Sequence, residues 1–193
     1  MKFTALLFAI SATAIAIEPR HHAGKGRNKP VPTSAAAAAG AATTSVATGS
    51  TQVLKEINGV PGNECLTFRN NGEIVDAACV NTAADRQLTP TTINGTPALL
   101  VQRSFSAGFR PDLVAPVRAC VGFNGTHFRA EDCSAGGIQL VTLTAGGQLK
   151  TAGGGGGGAC ASGHDEAAQM TVDATGQTCA RYTSTDVAPA VTR

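Results

Sequence analysis

Tryptophan is absent from this chain of 193 residues, tyrosine occurs once, and aromatic residues together make up only 4%. The core must therefore be assembled mainly from aliphatic side chains, each burying less surface than a ring does. Charge is also sparse, at 15% against about 25% in an ordinary domain. A formal net charge of +2 excludes the strongly basic balance of a nucleic-acid binder or of a protein held on anionic lipid. No apolar run reaches the ~20 residues needed to span a bilayer, and the C-terminal DVAPAVTR lacks the hydrophobic tail of a lipid-anchor signal. Glycine (23) and proline (9) are moderate and follow no period, so neither a collagen-like nor a wholly disordered chain fits.

What is present first is a leader. Lys2 supplies a positive charge, Phe3 to Ile10 form a short apolar run, and small residues follow at Ala12-Thr13-Ala14 and Ala14-Ile15-Ala16. This is the layout of a secretory signal peptide over residues 1–16, with cleavage expected after Ala16. The expected location is extracellular, in solution or at the cell wall, with no membrane association. Residues 17–50 carry Arg20, His21, His22, Lys25, Arg27 and Lys29, then a Pro/Ala/Gly/Thr/Ser tract nearly devoid of large apolar residues. Such a stretch buries too little surface to offset its ordering entropy and reads as a disordered linker. Its basic charges account for the sign of the total. Residues 51–193 hold ten basic and twelve acidic residues, a net of −2.

The region 51–193 reads as all-β. Ile74-Val75, Ala98 to Val101, Val117 to Val121, Ile138 to Leu143 and Met170 to Val172 are short runs rich in Val, Ile, Leu and Thr. Asn71-Gly72, Asn94-Gly95, Asn124-Gly125, Gly136-Gly137, Gly146-Gly147 and Thr175-Gly176 punctuate them. Asn-Gly between apolar runs is a hairpin signal, because a type I′ turn needs positive φ at both central residues. Many short strands at this spacing predict a closed, barrel-like sheet.

An internal repeat sharpens this reading. Cys65-Leu-Thr-Phe68 leads through Asn71-Gly72 to Cys79, and Cys120-Val-Gly-Phe123 leads through Asn124-Gly125 to Cys133. Gln87-Leu88-Thr89 and Gln139-Leu140-Val141 follow the two units. A third, degraded copy begins at Cys160, with Gln169-Met170-Thr171 and Cys179 after it. A second Cys and then Gln-x-(large apolar), three times over about 130 residues, resembles the ricin B-type β-trefoil lectins. Gly147-Gln-Leu149 ahead of Cys160 resembles that family's Gly-x-Ile. The resemblance covers about residues 51–185 and implies a β-trefoil-like domain preceded by the signal peptide and linker. It departs at the Gln-x-Trp position, occupied here by Thr89, Val141 and Thr171, and the family's pairing of a sugar-stacking ring with Asp or Asn is not matched. The pattern is also similar to small secreted proteins of filamentous fungi.

Six cysteines suit an oxidising compartment. Of fifteen connectivities, Cys65–Cys79 and Cys120–Cys133 are favoured because each pair brackets a hairpin, with Cys160–Cys179 as the third. No CxxC or Cys/His cluster has zinc-site spacing, so neither metal nor cofactor is expected. No nucleophile elbow, HExxH or phosphate loop occurs, and the six glycines Gly153 to Gly158 read as a flexible loop. His127, Arg129, Glu131 and His164 are the residue types of ribonuclease acid–base chemistry, although each also reads as an ordinary surface polar residue. Asn94-Gly-Thr96 and Asn124-Gly-Thr126 are glycosylation sequons, and Pro97 crowds the first.

The expectation is a monomeric, secreted, non-catalytic β module that binds a surface, a glycan or an extracellular protein, and not nucleic acid. The alternatives are a small ribonuclease-like hydrolase and a loop-type protease inhibitor.

Overall fold

The computed structural model describes residues 45–58, 64–153 and 157–190. The leader, most of the linker and the middle of the glycine run lie outside these residues. The described chain is all-β, with antiparallel pairing throughout.

Thirteen strands follow in order: β1 (Ser45–Ala47), β2 (Gln52–Glu56), β3 (Glu64–Phe68), β4 (Ile74–Ala78), β5 (Gln87–Ile93), β6 (Thr96–Val101) and β7 (Ala119–Phe123), then β8 (Phe128–Asp132), β9 (Gln139–Leu143), β10 (Leu149–Thr151), β11 (Cys160–His164), β12 (Met170–Asp173) and β13 (Tyr182–Asp186). Two 3₁₀ turns, Ala84–Arg86 and Pro111–Leu113, interrupt them. Strand β1 corrects the expected linker boundary. Ser45–Ala47 pairs with Thr91–Ile93 of β5, although Val46 is exposed. Backbone pairing to an existing strand, rather than side-chain burial, orders this stretch, and composition does not report such pairing.

From β2 onward the strands fall into three runs of four. The middle strands of each run form a hairpin: β3 with β4, β7 with β8, and β11 with β12. The outer strands join one run to the next, β5 to β6 and β9 to β10, and the last strand, β13, pairs with β2 over Gln52 to Glu56. Disulfides Cys65–Cys79, Cys120–Cys133 and Cys160–Cys179, with Cα separations of 4.9, 5.0 and 5.6 Å, staple the three hairpins. These are the pairs favoured from the sequence.

Residues from all three runs form one main apolar cluster, including Leu54, Phe68, Leu88, Leu99, Val141 and Leu149. Phe123 and Phe128 meet edge to face across the β7–β8 hairpin, with centroids 5.4 Å apart. Proline in a central strand is unusual because it cannot donate to the ladder. Pro90 is tolerated because β5 changes partner there, from β2 at Gln87–Leu88 to β1 at Thr91–Ile93.

Only one of the three Asn-Gly turns has the expected type I′ signature. Asn94 and Gly95 both have positive φ, +50° and +84°. At the other two only the glycine does. Asn124 instead accepts backbone N–H bonds from Thr126 and His127, which widens that loop to four residues. Gly147 (φ +75°) is required twice over, since a Cβ there would lie 2.6 Å from the carbonyl oxygen of Tyr182. That close approach ties the turn before β10 to the start of β13, where Tyr182 N–H donates to Gly147 O at 2.7 Å.

Candidate functional site

An open groove of about 490 Å³ lies at the tip of the β3–β4 hairpin. Its walls come from three places in the chain. The turn after β3 contributes Arg69, Asn70 and Asn71, the first 3₁₀ turn contributes Asp85, and the long connection after β6 contributes Arg103 and Phe109. Phe109 is 59% exposed, the same as Val46 and more than any of the other exposed large hydrophobic residues. Phe109 belongs to neither apolar cluster of the core.

Arg103 organises the polar side of the groove. Its guanidinium lies 5.1 Å from the Phe105 ring centroid and donates to Phe68 O and Asn70 Oδ1. Burial lowers its pKa and the charge of Asp85 opposes that shift, so Arg103 remains a cation. Asp85 accepts from Arg86 at 2.6 Å, and Arg69 reaches Glu73 at 3.7 Å on the surface. A phenyl ring, amide, carboxylate and guanidinium thus line one depression.

A second cluster is buried. His164 Nδ1 lies 2.6 Å from Glu56 Oε2, with the two side chains 1% and 10% exposed. Asp76 joins them, so that donor atoms of all three residues lie within 4.8 Å of one another. Burial pushes the Asp76 carboxyl above its ordinary range, the charge of His164 pulls it back, and Glu56 and Glu64 add to the rise. Burial, with help from the charges of Glu56 and Asp76, also drives the Tyr182 phenol upward. Asp76 Oδ1, His164 Nε2 and Tyr182 Oη are buried without a hydrogen-bond partner.

The chain matches no known family model, no curated protein and no solved structure.

The four residues suggested for acid–base chemistry do not form one site. His127 is exposed and shares a small cleft with Glu73 and Arg129. Glu131 is engaged by Arg110 Nη2 at 2.8 Å and by Arg129 Nε at 3.2 Å, while His164 belongs to the buried cluster. Asn94 and Asn124 are both exposed on turns. Sequence reasoning missed the Phe109 groove because its ring and polar groups come from separate loops. It also missed the Glu56–His164 pair, whose members are 108 residues apart. No motif spacing spans such distances. Among the described residues no helix is long and apolar enough to cross a membrane.

Proposed function

We propose that the protein is a secreted, non-catalytic, β-trefoil-like module that binds glycan through the groove beside Phe109. Three observations support the trefoil reading: three runs of four strands, a disulfide-stapled hairpin in each, and pairing of β13 back onto β2. The three bridges and the leader-like first sixteen residues support secretion.

The observation that carries the binding reading is the exposed Phe109, which lines one groove with Asn70, Asp85 and Arg103. A pyranose presents an apolar C–H face and an edge of hydroxyls. The ring takes the face, while the amide, carboxylate and guanidinium take the hydroxyls as donors and acceptors. A single phenyl in an open groove gives weak affinity, expected in the range between about 1 mM and 1 μM.

A glycan array followed by NMR titration of the best hit tests this. Binding should shift resonances of the turn at residues 69–71 and of Phe109, and Phe109→Ala should weaken it at least tenfold. A hit whose affinity is unchanged by Phe109→Ala, or an array blank at millimolar ligand, overturns the reading.

A further inference from the structure

We infer that Glu56, Asp76 and His164 form a binding site for one divalent transition-metal ion of the zinc class. This goes beyond the proposed glycan binding and uses none of the groove residues. Glu56 and Asp76 belong to the first run of four strands and His164 to the third. Glu56 is the last residue of β2, Asp76 lies in the middle of β4, and His164 ends β11. They nevertheless bring one donor atom each to within 4.8 Å of the others.

Three features separate this cluster from an ordinary ion pair. The first is burial. The His164 side chain is 1% exposed and Asp76 is more than nine-tenths buried, so water cannot solvate either charge fully. The second is charge. Two carboxyl groups face one imidazole, so with both ionised the cluster is net negative even when His164 is protonated, and a divalent cation neutralises both at once. The third is the set of orphaned atoms. Asp76 Oδ1 and His164 Nε2 have no hydrogen-bond partner. Buried polar atoms are almost always paired, so two orphans within one cluster need a physical cause. Coordination supplies one.

The donor set selects the ion. One imidazole nitrogen with carboxylate oxygens suits zinc and its first-row neighbours better than calcium, which takes six to eight oxygens. Gly163 (φ +125°) precedes His164, and a Cβ there would come within 3.3 Å of Glu56 Oε1, so the glycine leaves room for that carboxylate. The turn after His164 is tied to β4. Asp76 N–H donates to Ala168 O at 2.8 Å, which fixes the backbone of β4 against that turn.

The experiment removes competing imidazoles first. The chain has four histidines, so the combined His21→Ala, His22→Ala and His127→Ala protein keeps His164 alone. Metal-stripped and untagged, it is titrated with Zn²⁺ by calorimetry and with Co²⁺ by visible absorption, while the single imidazole is followed by NMR. The expected result is one ion per chain, a low-symmetry Co²⁺ spectrum bleached by Zn²⁺, and a shift of the His164 resonances. Asp76→Asn should weaken binding by more than about tenfold, since even outer-shell partners of metal sites contribute 10–100-fold. Tyr182→Phe keeps the packing of the ring and should leave one ion bound, which guards against a variant that merely unfolds. No Zn²⁺ uptake at 1 mM, or uptake that leaves the His164 resonances unmoved, overturns the inference. Uptake unchanged by Asp76→Asn in a folded protein does so as well.

Discussion

The side-chain oxygen of Gln87 accepts the backbone N–H of Ala190 at 2.7 Å, 103 residues along the chain. The same amide donates to Asn81 O at 2.7 Å and to Ala188 O at 3.1 Å. Gln87 is fully buried. It is thus the anchor that holds the C-terminal segment beyond β13 against the start of β5. A buried amide is tolerated only when its donors and acceptor are satisfied, and this one spends them on backbone groups of two separate segments.

Gln87→Leu keeps the volume and removes all three bonds. The expected loss is about 1–3 kcal/mol of stability, because the freed backbone groups lie near the surface and regain water in part. Denaturant unfolding measures it, and amide exchange at Val187–Ala190 should speed up. An unchanged midpoint with unchanged exchange would show that the anchor is idle.

Much of the strand pattern is legible in the sequence, because short β-branched and aliphatic runs between turn residues have few other uses. Five such runs overlap β4, β6, β7, β9 and β12. Strands β1, β2 and β13 are less visible. Gln52–Glu56 and Tyr182–Asp186 are largely polar, and their place is set by pairing with each other. The repeat predicts the cysteine pairs because hairpin closure is local. The Phe109 groove and the Glu56–Asp76–His164 cluster are not legible, since both are made by tertiary contacts between loops or strand ends. Gln87 heads the Gln87-Leu88-Thr89 motif noticed in the sequence, yet its role depends on a carboxy-terminal segment that the motif does not include.

Arg110 holds the β7–β8 hairpin to the loop before it. Its side chain is 7% exposed, and it donates to Ala130 O at 2.6 Å, to Glu131 at 2.8 Å and to Asp112 at 2.6 Å. Gly72 must lack a side chain because Arg110 lies against it. Removing a buried partner leaves Glu131 with less compensation, so Arg110→Ala should cost about 3–5 kcal/mol. Asp112→Ala should cost far less, since that carboxylate is 54% exposed. Equal losses for the two variants in urea unfolding would contradict this ranking.

Each disulfide closes one hairpin, so its chief effect is to restrict the unfolded chain. The Cys120–Cys133 loop spans 13 residues, for which the chain-entropy relation gives about 3 kcal/mol. The paired replacement Cys120→Ala with Cys133→Ala should lower stability by that order. It should also reduce the yield of folded protein more than His127→Ala does. Non-reducing peptide maps should show only links within a hairpin. A link from Cys79 to Cys120 would refute the three-unit organisation.

The turn after β12 is expected to open in acid. Asp173 accepts from the Thr175 hydroxyl at 2.7 Å and from the backbone N–H groups of Thr175, Gln177 and Thr178 at 2.8, 3.0 and 2.7 Å. The Thr175 hydroxyl bond, followed by those backbone bonds, holds its carboxyl well below the usual carboxylate range. A folded-state pKa below the unfolded value of about 3.9 means that the ionised form stabilises the turn. That contribution is complete above the unfolded value and is lost as pH falls through the lower folded value. The turn leads directly into Cys179, so its opening loosens the segment tethered to Cys160. Protection factors for Thr175, Gln177 and Thr178 should therefore hold at pH 5 and collapse in strong acid. Asp173→Ala should remove them at both. Protection that persists in Asp173→Ala at pH 5 would assign the turn's order to the bridge and not to the carboxylate.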